Sequence, residues 1–95
     1  MATQTAPRID SSPRTFAEFV VNRSWHDVGI QIQRLEGAKY LGFTSDRRDA
    51  CLQFSFHGQR FCIQEDGPIF LFKVNDSNCP EQILWEVQSH FAALL

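Results

Sequence analysis

Residues 50–74 read ACLQFSFHGQRFCIQEDGPIFLFKV, and this stretch decides the fold. Large apolar residues take every second position in three successive runs, mostly with polar residues between them. Such alternation is typical of β-strands that bury one face. Two short glycine-containing segments, Gly58-Gln59 and Asp66-Gly67, separate the runs and suit tight hairpin turns. The stretch therefore predicts three antiparallel strands, near 49–57, 60–65 and 69–75.

The same period of two continues towards the N-terminus. Val28, Ile30 and Ile32 alternate with polar residues or glycine, and Leu41 and Phe43 follow. These runs predict two further strands, near 27–35 and 38–44. Opposed residues of an antiparallel pair share a face, so the turns test the pattern. Turns at Glu36-Gly37, 45–48, Gly58-Gln59 and Asp66-Gly67 predict four apolar pairs: Ile32 with Leu41, Leu41 with Leu52, Phe54 with Ile63, and Ile63 with Phe70.

A helix is predicted on each side of this meander. Phe16, Phe19 and Val20 follow helical spacing after Pro13, which predicts a helix over 13–23. Pro80 predicts the start of the second helix, and an apolar stripe follows it at Ile83, Leu84, Val87, Phe91 and Leu94. Residues 1–11 are expected to be a disordered tail, and 12–95 a single domain. The predicted fold class is α+β: a five-stranded antiparallel β-meander with an N-terminal and a C-terminal helix packed on one face, an α-β5-α two-layer sandwich.

Composition excludes several classes of function. The 95 residues carry a net charge of −2, and no stretch is strongly basic, which argues against nucleic acid as a partner. No apolar run approaches the roughly 20 residues that cross a bilayer, so no membrane association is expected. The segment 1–12 is polar and does not resemble a secretory signal. A cytoplasmic location is therefore the expectation.

The three cysteines do not form a recognisable motif. Cys51, Cys62 and Cys79 are odd in number, and their spacing matches neither a disulfide framework nor a metal site. We expect structural thiols, with a redox or metal role as the open alternative. Cys79 precedes the second helix, where a helix N-terminus can lower a thiol pKa, but no histidine is placed to act as its base. No catalytic residue, metal or cofactor is predicted, and the fold is not expected to need a disulfide.

The sheet face opposite the helices is the predicted functional surface. A solvated face, a binding face for a protein partner or a second copy, and a small-molecule groove all remain open. We expect a non-catalytic interaction module that uses this face; the alternative is a ligand-binding or enzymatic domain with a pocket between the helices and the sheet edge. The candidate interaction residues are Gln31, Gln33, Tyr40, Gln53, Cys62, Gln64, Ile69, Leu71 and Trp85.

Three further features could have either a functional or a structural role. Trp25 lies in the connection between the first helix and the sheet, and we expect it to seal the edge of the core. Trp85 stands off the main stripe of the second helix, which favours partial exposure. Arg47 and Arg48 are flanked by Asp46 and Asp49, so a solvated loop is favoured over an anion site.

Overall fold

The computed structural model describes residues 13–45 and 50–95. The elements follow in the order β1 (Arg14–Val20), α1 (Trp25–Arg34), β2 (Ala38–Ser45), β3 (Ala50–Phe56), β4 (Gln59–Asp66), β5 (Ile69–Val74) and α2 (Glu81–Ala92). The fold is α+β, with a five-stranded antiparallel sheet and two helices. The predicted tail 1–11 and the predicted solvated loop at Arg47 and Arg48 lie outside the described residues.

The first two predicted elements are exchanged. The helix predicted over 13–23 is strand β1, and the strand predicted over 27–35 is helix α1. A β-bulge in β1 between Thr15 and Ala17 explains the first error. Phe16 occupies the bulge and contacts Phe61 and Phe72, so it lies on the same face as Phe19 at helix-like spacing.

Helix α1 begins at a side-chain cap. Ser24 precedes its first turn, and the Ser24 hydroxyl accepts a hydrogen bond of 3.2 Å from the backbone N–H of Asp27. The helix buries Val28, Gln31 and Ile32, which are spaced by three and four residues, and leaves Ile30 36% exposed. The alternation of Val28, Ile30 and Ile32 therefore mimics a strand within a helix. Because α1 stands between β1 and β2, the predicted helix–meander–helix order is wrong in this detail.

The sheet order is β1-β5-β4-β3-β2, with every neighbouring pair antiparallel. The last four predicted strands and the C-terminal helix are confirmed, with ends shifted by one or two residues. The predicted register is wrong by two residues in three hairpins. Leu52 pairs with Phe43, Phe61 with Phe54, and Phe72 with Ile63.

The turns account for this shift in two of the hairpins. Phe56 pairs with Gln59, so His57 and Gly58 form the first turn, and both have positive φ, 52° and 74°. That geometry is type I′, which histidine tolerates better than most residues. The second turn is Gly67-Pro68, with φ of 60° at Gly67. A slip of two residues leaves each side chain on its predicted face, because the period of a strand is two.

One core lies between the sheet and the helices. Phe91 of α2 contacts Phe54 and Phe72 of the sheet, and Val28 and Ile32 of α1 are completely buried. Both helices therefore cover the same face, which we call the inner face. The opposite surface, the outer face, is not covered by any element of 13–45 or 50–95.

Candidate functional site

Five of the predicted interaction residues lie on the outer face. They alternate with buried core residues along β3, β4 and β5, and they are half-buried: Gln53, Cys62, Gln64, Ile69 and Leu71. They form neighbouring cross-strand pairs, Gln53 with Cys62 and Gln64 with Leu71. Their use in an interaction remains a prediction.

Gln31 and Gln33 were expected on the same face, but they belong to α1. Gln31 is buried, and its side-chain amide donates a hydrogen bond of 2.9 Å to the carbonyl of His90. His90 Nε2 donates in return to the carbonyl of Gln31 at 2.7 Å. These two bonds link α1 to α2, so Gln31 has a structural role. Gln33 is exposed on α1.

Tyr40 also lies on the other side of the sheet from its predicted place. A β-bulge in β2 between Tyr40 and Gly42 pairs Tyr40 with the buried Phe54 and Phe43 with the buried Leu52. The extra residue, Leu41, therefore turns both Tyr40 and Phe43 towards α1. The sequence signal for this bulge is Gly42, since glycine inside a strand often marks one.

An open groove of about 380 Å³ lies between α1 and the edge strand β2. Its walls are one face of α1 and the side chains of β2 and β3 that face this helix: Trp25, His26, Gly29, Ile30, Gln33, Tyr40, Phe43 and Leu52. Leu52 is buried and forms the floor, whereas Tyr40 and Phe43 are 46% and 40% exposed at the rim. The site is concave, largely apolar and open at the edge of the sheet.

Trp25 is held in a fixed position in this groove. Its indole N–H donates a hydrogen bond of 3.0 Å to the Glu65 carboxylate of β4. Its ring packs edge-on against Phe70 at 4.9 Å between centroids and lies 5.2 Å from the ring of Phe43. Trp25 therefore seals the edge of the core and at the same time presents part of its ring to the groove. With its N–H occupied, it offers the groove an aromatic surface rather than a donor.

The helical wall has a gap at Gly29. A Cβ atom built at this position would meet no atom within 4 Å. Glycine inside a helix costs about 1 kcal/mol relative to alanine, and here its missing side chain leaves space in the groove. Within the described chain, the side chains of His26, Gln33 and Tyr40 make no hydrogen bond, so their polar groups can serve a bound molecule. The lining contains no Lys, Arg, Asp or Glu.

Most of the groove residues were not predicted. His26, Gly29 and Ile30 were missed because the segment was interpreted as a strand, and Phe43 because it was assigned to the core. Ser24 and Asp27 provided the missing signal: Ser followed three residues later by an acid is typical of a helix start.

Two of the three cysteines differ from their predicted state. Cys51 and Cys62 form a disulfide on the outer face, with Cα atoms 6.4 Å apart, so the prediction of free thiols is wrong for this pair. The two-residue shift in register explains the error: Cys51 pairs with Gln64, two positions from Cys62, instead of the more distant Asp66. Cys79 is a buried free thiol whose pKa is raised, first by burial and then by the Asp76 carboxylate.

Other types of site find no support in 13–45 and 50–95. These residues bring together no group of three or more His, Cys, Asp or Glu that could hold a metal ion. Neither of their helices is long and apolar enough to span a membrane.

No protein-family model, curated protein or solved structure matches the chain.

Proposed function

We propose that this protein binds a small, neutral, planar molecule with at least one aromatic ring in the groove between α1 and β2. The observation that carries the proposal is the groove itself. Its volume of about 380 Å³ lies at the small end of the range of ligand sites. Three aromatic side chains, Trp25, Tyr40 and Phe43, form much of its surface. A flat ring can contact such walls in offset or edge-to-face arrangements.

The charge of the ligand follows from the lining. A charged molecule would lose hydration on entering an apolar site and would gain no opposite charge there, since no ionic side chain lines the groove. A neutral aromatic ring loses little favourable hydration when it enters the same site. The polar groups of His26, Gln33 and Tyr40 would orient a hydroxyl, carbonyl or ring nitrogen at its edge.

We propose binding and no chemical step. The described groove lining contains no Ser, Thr, Cys, Lys, Asp or Glu, which are among the usual nucleophiles of covalent catalysis. Its polar side chains, His26, Gln33 and Tyr40, are suited to orient a ligand.

The fluorescence of Trp25, which lies in the groove, can report the binding of a ligand there. The variant Trp85→Phe removes the second of the two tryptophans, which is 66% exposed on α2 and is not part of the groove lining. We expect coumarin, a neutral bicyclic probe, to quench the remaining emission saturably. With about eleven heavy atoms at roughly 0.4 kcal/mol each, its dissociation constant should be about 1 mM or lower. Coumarin-3-carboxylate should bind at least about tenfold more weakly, because its charge stays unpaired.

A pair of leucine variants controls the location. Gly29→Leu should fill the groove and abolish the saturable response. Gln82→Leu adds the same side chain on the exposed side of α2, outside the groove lining, and should leave the response intact. A coumarin response that survives Gly29→Leu, or no saturable response up to the solubility limit, would contradict the proposal.

A further inference from the structure

The outer face has an ordered arrangement of charge. The ladder pairs arrange its outward residues in four rows across the strands: Val20, Ile69 and Asp66; Glu18, Leu71, Gln64, Cys51 and Thr44; Thr15, Lys73, Cys62, Gln53 and Gly42; Arg60, Ser55 and Lys39. The two acidic residues of these rows, Asp66 and Glu18, stand in the first two rows. The three described bases stand in the last two. The face is therefore acidic towards one end of the strands and basic towards the other.

We infer that the outer face pairs with the outer face of a second copy of this chain. A two-fold axis that runs across the strands, between the two middle rows, places the acidic end of each copy over the basic end of the other. Asp66 of β4 then lies over Arg60 of the second copy, and Arg60 over its Asp66. A two-fold axis along the strands would instead place like charges together. The charge pattern thus selects both the occupant and its orientation.

The centre of this face suits an interface. The two middle rows combine Leu71, the Cys51–Cys62 disulfide and the uncharged Gln53 and Gln64. They hold two described charged residues: Glu18, on the edge strand β1, and Lys73, which donates a hydrogen bond of 2.8 Å to the Gln64 side chain. A core poor in charge with a charged rim is the usual anatomy of a protein interface.

The edges of the sheet offer a poorer route to self-association. Each of the two edge strands carries a β-bulge, at Phe16 in β1 and at Leu41 in β2, whereas the ladders that join β3, β4 and β5 are regular. A bulge interrupts the row of backbone groups that an added strand would use. Pairing through the face, as in a β-sandwich, avoids both edges.

The expected affinity follows from the size of the face. Five strands at about 4.8 Å, each about seven residues at 3.4 Å, cover roughly 24 Å by 24 Å, or about 600 Å² per copy. The total of about 1,200 Å² is at the lower limit of stable interfaces, so a dissociation constant in the micromolar range is expected.

The experiment is sedimentation of the full chain at about 1 to 500 µM, a range that spans the expected dissociation constant. The mass should rise from 10.9 kDa towards twice that value. Asp66→Arg alone and Arg60→Asp alone should each remain monomeric, because each places like charges together. An equimolar mixture of the two variants should form a dimer again, since opposite charges then meet at both contacts: the two substituted side chains face each other, and the native Arg60 of one copy faces the native Asp66 of the other.

Two outcomes would overturn the inference. One is a mass of 10.9 kDa at every concentration. The other is a dimer that neither charge variant weakens, which would place the interface elsewhere. Gln82→Arg, a charge change on the exposed side of α2, is the control and should leave the dimer intact. Coumarin binding in the groove does not depend on the outer face, so the two proposals succeed or fail separately.

Discussion

At the scale of single residues, Cys79 shows how burial overrides a local effect. The thiol stands two residues before α2, where the helix N-terminus alone would favour a thiolate. Burial instead raises its pKa above the ordinary value of 9.0, and the carboxylates of Asp76 and Glu81 act in the same direction, against Arg14. The neutral thiol is therefore the form that the fold stabilises, and a buried neutral thiol reacts slowly with electrophiles.

Two measurements follow from this raised pKa. Iodoacetamide at pH 8 should modify Cys79 only slowly in the folded chain and rapidly in urea; rapid labelling without denaturant would contradict the burial.

The raised pKa of Cys79 also predicts how stability depends on pH. The folded state holds the thiol proton more tightly than the unfolded state. Stability from this group is therefore complete below pH 9.0 and is lost as the pH rises through the folded-state pKa. The variant Cys79→Val should lack this alkaline decrease.

Gln31 and His90 form a second residue-scale feature, a reciprocal link between the two helices. The carbonyl of His90 lies in the last turn of α2, where carbonyls lack helical partners. The carbonyl of Gln31 is released in the same way, because the backbone N–H of Leu35 bonds to Ile32 instead. Each side chain thus satisfies the other residue's carbonyl.

Removal of this link should cost measurable stability. Gln31→Ala leaves the half-buried His90 carbonyl without its donor, so we expect a loss of about 1–2 kcal/mol in urea unfolding. Gln33→Ala, on the exposed side of the same helix, should change stability by less than about 0.5 kcal/mol. Equal effects of the two substitutions would show that the link contributes nothing.

At the scale of elements, Gly29 weakens the helix that forms the groove. Its Cβ position is open, so Gly29→Ala should stabilise α1 by about 1 kcal/mol and raise Tm by about 4–8 °C. Gly67→Ala is the matched control. Gly67 has a φ of 60°, which alanine adopts poorly, so this substitution should lower Tm. An unchanged or lower Tm for Gly29→Ala would mean that position 29 is not open as described.

The sequence pattern predicted the side-chain faces of the inner strands but not their register. Leu52, Phe54 and Phe61 all face the core as expected, although the hairpins slip by two residues. Alternation determines which face a residue occupies, and a slip of two keeps it there. The choice of turn residues determines register, and His57 in a left-handed conformation was not apparent from the alternation.

The edge strands and α1 were harder to predict, for a common physical reason. A bulge puts Phe16 and Phe19 on one face at a spacing of three, which imitates a helix. In α1, the half-exposed Ile30 between the buried Val28 and Ile32 imitates a strand. Periodicity over so few residues does not distinguish these cases, whereas the Ser24 cap does.

At the scale of the whole molecule, the candidate site lies elsewhere than predicted, because residues 14–20 form a strand and residues 25–34 form a helix. With residues 25–34 in a helix, Trp25 and Gly29 face β2 across an open groove. The predicted outer face keeps Gln53, Gln64 and Leu71, so the protein presents two separate surfaces. The inner edge is suited to a small molecule, and the outer face to a second copy.

An amide NMR titration of the full chain with coumarin would locate a neutral aromatic ligand on the molecule residue by residue. The largest shift changes should occur at the groove, at Gly29, Ile30, Tyr40 and Phe43, and should saturate together. Saturating shifts centred on Gln53 and Gln64 of the outer face, or no saturating shifts, would contradict binding in the groove.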